Sequence, residues 1–245
     1  MLKKSLFLLL VLTFLPFPSA RAESELIGDF VAPVTNSDGQ IILATGAVLT
    51  GGILLFAKNW EKRIQARAYA YKPLGDKIDK LGDAWGQVLP NAAYAVGMYT
   101  HYLFTDQKRS EHLAVLMVES TGFAAADSTI LKYSIPEQRP SGGKHSFPSG
   151  HATTAFAFAS VVGANHPWYY GAAAYASAFV VAESRMEMNM HYLHDLIAGA
   201  AIGMSYGVSL SERFKERMGD LAVTITPADG LQGATLYVSG NLPNF

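Results

Sequence analysis

Between Lys132 and Asp195 the chain gathers residue types that suit a single tetrahedral oxyanion. Lys132, Arg139 and Arg185 are cations set beside long apolar stretches. An isolated charge is costly there, so each needs an anionic partner. The planar fork of arginine fits two oxygens of one phosphoryl group, and lysine adds a point charge. Ser149 and Gly150 directly precede an apolar stretch that starts near Thr153. A helix beginning there would present free N–H groups and its dipole to an anion, and Gly150, lacking a Cβ, lets the backbone come close. His151 stands at the same helix start and can face the same anion. His191 and Asp195 are four residues apart. On a helix this spacing puts both on one face, so the carboxylate holds one ring nitrogen and leaves the other free to attack. Taken singly, these residues read as solvated helix-end charges, a cap and a surface pair. Together, in this order, they have no joint structural explanation.

Such a set has to be held by rigid elements, and the rest of the chain supplies helices. Residues 41–57 (IILATGAVLTGGILLFA) carry no charge and suit either a buried helix or a short membrane span. Further helical segments are expected over 85–104, 111–132, 153–164, 168–182 and 191–210, and none alternates as a strand would. The fold class is therefore all-α, a six-helix bundle over residues 41–215. Residues 58–80 should form a solvated helix and loop, turning at Pro73-Leu74-Gly75. Residues 23–40 hold Gly28, Pro33, Asn36, Asp38 and Gly39 and are expected to be an irregular lead-in. In the tail, 216–245, two alternating segments at 221–226 and 234–238 flank the turn Pro227-Ala-Asp-Gly230, which predicts a small β-hairpin.

The first 22 residues look different. Lys3 and Lys4 precede an apolar run from Ser5 to Leu15, then Pro16, Pro18 and Ala20-Arg21-Ala22. This is the pattern of a secretory signal cut after Ala22; the other reading is an uncleaved membrane anchor. Cleavage would remove Lys3, Lys4 and Arg21 but no acid, taking the formal charge from −1 to −4. An acidic chain has no general attraction for nucleic acid, so phosphate affinity must be local. The absence of cysteine excludes disulfides, thiolate chemistry and cysteine-bound metal.

The three blocks resemble the signature motifs of the type 2 phosphatidic acid phosphatase superfamily: K-x6-RP, PSGH and SR-x5-H-x3-D. Lys132, Arg139 and Pro140 match the first. Pro148, Ser149, Gly150 and His151 match the second, and Ser184, Arg185, His191 and Asp195 the third. Every fixed position is present with the family's spacing, and the resemblance spans Lys132 to Asp195. It implies that His191 is the nucleophile of a phosphohistidine mechanism, oriented by Asp195. It implies that His151 is the general acid, and that Lys132, Arg139, Ser149, Gly150 and Arg185 hold the phosphoryl oxygens. It implies no metal and no other cofactor, because fixed cations do the metal's work.

The expected substrate is a phosphorylated lipid: phosphatidic acid, phosphatidylglycerol phosphate, a polyprenyl pyrophosphate or a lipid A phosphate. The expected location is the periplasm or the cell membrane, with the active site facing the periplasm and no nucleic-acid partner. A soluble periplasmic acid phosphatase acting on small phosphate esters is the alternative. A vanadium-dependent haloperoxidase is more remote, and a non-catalytic membrane protein with a relic pocket is the fourth reading. Only residues 141–147 separate the first two blocks, so no lid can form there. His194 is expected on the helix surface or at an interface, on a different face from His191. Lys144 and His145 are expected to be solvated loop residues, and Met186, Met188 and Met190 to fill gaps.

Overall fold

The computed structural model describes residues 23–218, 222–227 and 234–239. Its helices are α1 (Glu23–Phe30), α2 (Ala32–Thr35), α3 (Ser37–Gly52), α4 (Lys58–Tyr71), α5 (Gly75–Trp85), α6 (Leu89–Thr105), α7 (Lys108–Ser134), α8 (Gly150–Asn165), α9 (Trp168–Glu187) and α10 (Leu193–Met218). A π-helical turn, Ile53–Ala57, joins α3 to α4. Strands β1 (Ala222–Pro227) and β2 (Ala234–Ser239) pair antiparallel, with Ala222 opposite Ser239 and Pro227 opposite Ala234. The fold is all-α with a C-terminal hairpin, as the pattern predicted. The hairpin's turn and the expected export signal lie outside the described residues.

The six apolar segments correspond to α3 and α6 to α10. Two stretches differ from expectation. Residues 23–40 are not an irregular lead-in but α1, α2 and the start of α3. Their turn-forming residues start helices rather than break them. Pro33 lies in the first turn of α2, where its missing N–H costs nothing. Asn36 caps α3 by accepting the Gly39 N–H at 2.9 Å. Residues 58–71 form a helix that is not simply solvated, because Glu61 and Gln65 are buried.

Helix α8 is apolar nearly all round and sits at the centre, packed by α7, α9 and α10. Its closest partner is α10, and glycines set the approach. A Cβ at Gly199 would lie 2.5 Å from the Ser149 carbonyl, one at Gly203 2.1 Å from the Thr153 carbonyl, and one at Gly207 2.5 Å from the Ser160 Cβ. Contacts advance along both helices together, so α8 and α10 run parallel. Both helix N-termini therefore open at the same end of the bundle, and both dipoles point their positive ends there.

Replacing Gly203 with alanine should force these backbones apart and cost about 1–3 kcal/mol, read as a lower thermal midpoint. At the exposed Gly97 of α6 an added Cβ meets nothing within 4 Å. Gly97→Ala should therefore leave the midpoint unchanged or raise it.

Candidate active site

At that shared end, the loop over residues 135–149 connects α7 to α8 and lies against the start of α10. It folds back on itself: Arg139 N–H donates to the Gly143 carbonyl at 2.7 Å, and Ser146 N–H donates to the Glu137 carbonyl at 2.9 Å. The φ of +87° at Gly142 makes the turn, a conformation that glycine adopts freely. Lys132, in the last turn of α7, holds the loop's far side. Its Nζ donates to the carbonyls of His145 at 3.1 Å and Pro148 at 2.5 Å. Ser149 is the N-cap of α8, its Oγ accepting the Ala152 N–H at 3.4 Å. Gly150 and His151 form the first turn, where N–H groups have no intrahelical acceptor.

Asp195 joins the blocks. It is fully buried. Its Oδ2 lies 3.3 Å from His191 Nδ1 and accepts the Ser146 hydroxyl at 2.6 Å and the Tyr192 N–H at 2.9 Å. Its carbonyl accepts the Ser149 N–H at 3.0 Å. The pairing of His191 with Asp195 is as expected, but its basis is not. His191 precedes α10, which begins at Leu193. Asp195 reaches back from the first helical turn, as the acid of a capping box does. Burial would raise the Asp195 pKa, but His191, His194 and Ser146 hold it well below the usual carboxylate range. Burial lowers the His191 pKa, opposed by Asp195 and assisted by the charges of Lys132 and Arg139, so the ring is neutral.

Arg185 ends α9 and is 1 % exposed. It is held by Asp83 of α5, an acid the motifs do not contain, with Nη1 donating to Oδ1 at 2.5 Å. Its Nη2 donates to the Asp79 carbonyl at 3.2 Å and the Ser184 hydroxyl at 3.1 Å. The same Asp83 oxygen lies 3.2 Å from His151 Nε2, off the axis of a hydrogen bond. Burial, then the charge of Arg185, push the His151 pKa down to about 4, with Asp83 opposing. Arg139 donates through Nε to the Lys144 carbonyl at 3.2 Å, and its Nη1 lies 3.7 Å from Met190 Sδ, next to His191. The charges of Asp195 and Arg185 both act on it. The structure thus brings Lys132, Arg139, Ser149, Gly150, His151, Arg185, His191 and Asp195 to one end of the bundle.

His194 corrects the surface assignment. It is 1 % exposed. Its Nδ1 pairs with Glu61 Oε1 at 2.8 Å, and its Nε2 faces Glu137 Oε2 at 3.0 Å and Asp195 Oδ1 at 3.2 Å. Burial opposes its charge, but the three carboxylates outweigh burial and push the pKa up to about 11. Among the described residues, Glu137, His194 and Asp195 bring potential ligand atoms within 4.8 Å of one another. The same three groups are ion-paired through His194 Nε2, which faces Glu137 and Asp195 at 3.0 and 3.2 Å. Spacing could not have revealed Glu61, which sits in the charged stretch 58–80 that looks solvated, or Asp83, which lies just after it and outside every motif.

The family model of the PAP2 superfamily matches residues 78–218. Over 81 residues the chain is 41% identical to the lipid A 1-phosphatase of Porphyromonas gingivalis; the match covers 31% of this chain and 18% of that protein. The chain therefore aligns with under a fifth of that relative's length. Its fold is similar to the transmembrane PAP2-type phosphatidylglycerolphosphate phosphatase of Bacillus subtilis. The TM-score is 0.58 at 19% identity, covering 78% of this chain and 98% of that one. Aquifex aeolicus LpxE gives a TM-score of 0.49 at 19% identity, with coverages of 62% and 93%.

Removing the His194 cation leaves buried carboxylates uncompensated, so His194→Gln should cost about 3–5 kcal/mol. The folded pKa lies above the ordinary value of 6.5. The stabilisation from His194 is therefore complete below about pH 6.5 and fades as pH climbs towards 11. Thermal melts between pH 6 and 10 should show this downward slope in the wild type and its loss in the variant.

Proposed function

The chain belongs to the PAP2 superfamily, and on that premise we propose that it is a metal-independent phosphohydrolase acting on a lipid-linked phosphate or pyrophosphate. The observation that carries the reading is His191, neutral and held through Nδ1 by a buried carboxylate, at the end where three cations and a helix N-terminus meet. With the proton on Nδ1, Nε2 carries the lone pair that attacks phosphorus. Lys132, Arg139, Arg185 and the backbone at Ser149–Gly150 balance charge on the phosphoryl oxygens. His151 gives its proton to the leaving oxygen, then takes one from the water that cleaves the phosphohistidine and frees His191.

A lipid is favoured over a small ester by the apolar surface around the site. On α5, Ile78, Leu81 and Trp85 are exposed on one face, and Leu89 follows at the start of α6. Leu55 and Phe56 are 76% and 89% exposed at the π-helical turn. Two helical runs, Ser37–Tyr71 and Lys108–Ser134, have an apolar composition that suits contact with a membrane. The named activity of the Porphyromonas gingivalis relative supports a lipid A type phosphate as the first substrate to test.

We place the site on the periplasmic side. Glu23 opens α1 at the far end of the bundle, where Asp29 pairs with Arg213 at 2.9 Å and Asn36 with Glu212 at 2.5 Å. This is roughly 25 Å along α10 from Asp195. An export signal ending at Ala22 carries that far end outwards. A site on the same side then requires a bundle that lies on the membrane rather than threading it. The second reading, a soluble periplasmic acid phosphatase, shares this topology.

The cysteine-free sequence allows a direct check. An impermeant thiol reagent, applied after the outer membrane is opened, should label Lys144→Cys beside the site and Gln107→Cys at the far turn. Labelling at one end alone would contradict the surface-bound arrangement. In detergent, the purified chain should release phosphate from lipid A or phosphatidic acid, keep its activity in EDTA and be blocked by vanadate. His191→Ala should lose about 10³-fold or more in kcat. Activity restored only by a divalent ion would overturn the metal-free mechanism.

A further inference from the structure

We infer that Asp83 is a positioning residue for this reaction: its carboxylate exchanges with the substrate's phosphoryl group on Arg185 and supports the acid form of His151. The inference rests on the phosphohydrolase reading above. Asp83 touches both groups, at 2.5 Å from Arg185 Nη1 and 3.2 Å from His151 Nε2, and it belongs to none of the three motif blocks. Its other oxygen accepts the Gln87 amide at 3.0 Å, which fixes its rotamer.

The helix carrying Asp83 is seated closely. A Cβ at Gly82 would lie 2.4 Å from Ser184 Oγ, and a Cβ at Gly86 2.8 Å from the His151 ring. The Gly86 carbonyl accepts the Thr154 hydroxyl of α8 at 2.8 Å. Glycines on both sides of Asp83 thus press α5 against α9 and α8, and any side chain at either position would lift the carboxylate away.

Exposure gives the direction of the exchange. The Arg185 side chain is 1% exposed and that of Asp83 38%. The carboxylate is the solvent-side partner of a closed-off guanidinium, so an incoming phosphoryl group meets it first. Exchange keeps the buried cation paired at every stage, which avoids the cost of a bare charge. Among the described residues, the charged groups that act most on His151 are Arg185 from α9, Asp83 from α5 and His191 from the loop before α10. Of these only Asp83 is negative, so it alone favours the proton that His151 must deliver.

The test is Asp83→Asn, with Asp83→Ser in parallel as an uncharged variant that asks no amide to fit. With the competitor gone, vanadate and inorganic phosphate should inhibit several-fold more tightly. With the negative charge gone, kcat should fall about tenfold at neutral pH, and the alkaline limb of its pH profile should move down by about one unit. Asp83→Glu should restore most of that limb. A residue that merely braced the fold would weaken anion binding and turnover together and leave the limb in place. Unchanged or weaker vanadate inhibition, or an unmoved limb, overturns the inference. A wild-type chain that releases no phosphate would instead sink the parent reading.

Discussion

The structure depends on satisfying one buried carboxylate. Asp195 has no access to water, and an ionised acid in that position is tolerable only if donors surround it. They come from three places in the chain, the His191 ring, the Ser146 hydroxyl and the Tyr192 backbone, all on Oδ2, while Oδ1 faces the His194 imidazolium as an ion pair at 3.2 Å. Its own carbonyl holds the N-cap of α8. Meeting one electrostatic demand therefore fixes the relative positions of the connecting loop, the α8 start and the His191 ring.

Around that carboxylate the site is layered by charge. Behind it, His194 is a cation at neutral pH between Glu61, Glu137 and Asp195. In front, burial keeps His191 and His151 neutral, assisted by the positive potential of Lys132 and Arg139 on the first and of Arg185 on the second. A neutral His191 is suited to attack. His151 gains basicity only from negative charge brought close to it, from Asp83 or from a phosphoryl group. Two imidazoles of the same intrinsic basicity are set to different tasks by their neighbours.

The packing that permits this arrangement uses small side chains. Parallel approach of α8 and α10 through Gly199, Gly203 and Gly207 aims two helix dipoles at one point. Gly82 and Gly86 seat α5 in the same way, so a charged and outwardly apolar helix also becomes part of the site wall. The exposed Ile78, Leu81 and Trp85 of that helix lie within two turns of Asp83. This couples the apolar surface through which a lipid would approach to the polar end that would receive its phosphate.

The sequence by itself determined the apolar helices, the C-terminal hairpin pattern and the set of polar residues that meet at one end of the bundle. Residue type and local spacing carry that information: periodic apolar runs predict helices, and cations beside them predict an anion. It failed where local signs are ambiguous. Pro33 and Asn36 have the same appearance whether they break a helix or begin one. The four-residue step from His191 to Asp195 fits a helix face, although the chain turns between them. Only the tertiary structure decided which charges become buried. Glu61 and His194 lie 133 positions apart, and Asp83 and Arg185 lie 102 apart. Burial at such separations is settled by how helices pack against one another, and no local pattern records it.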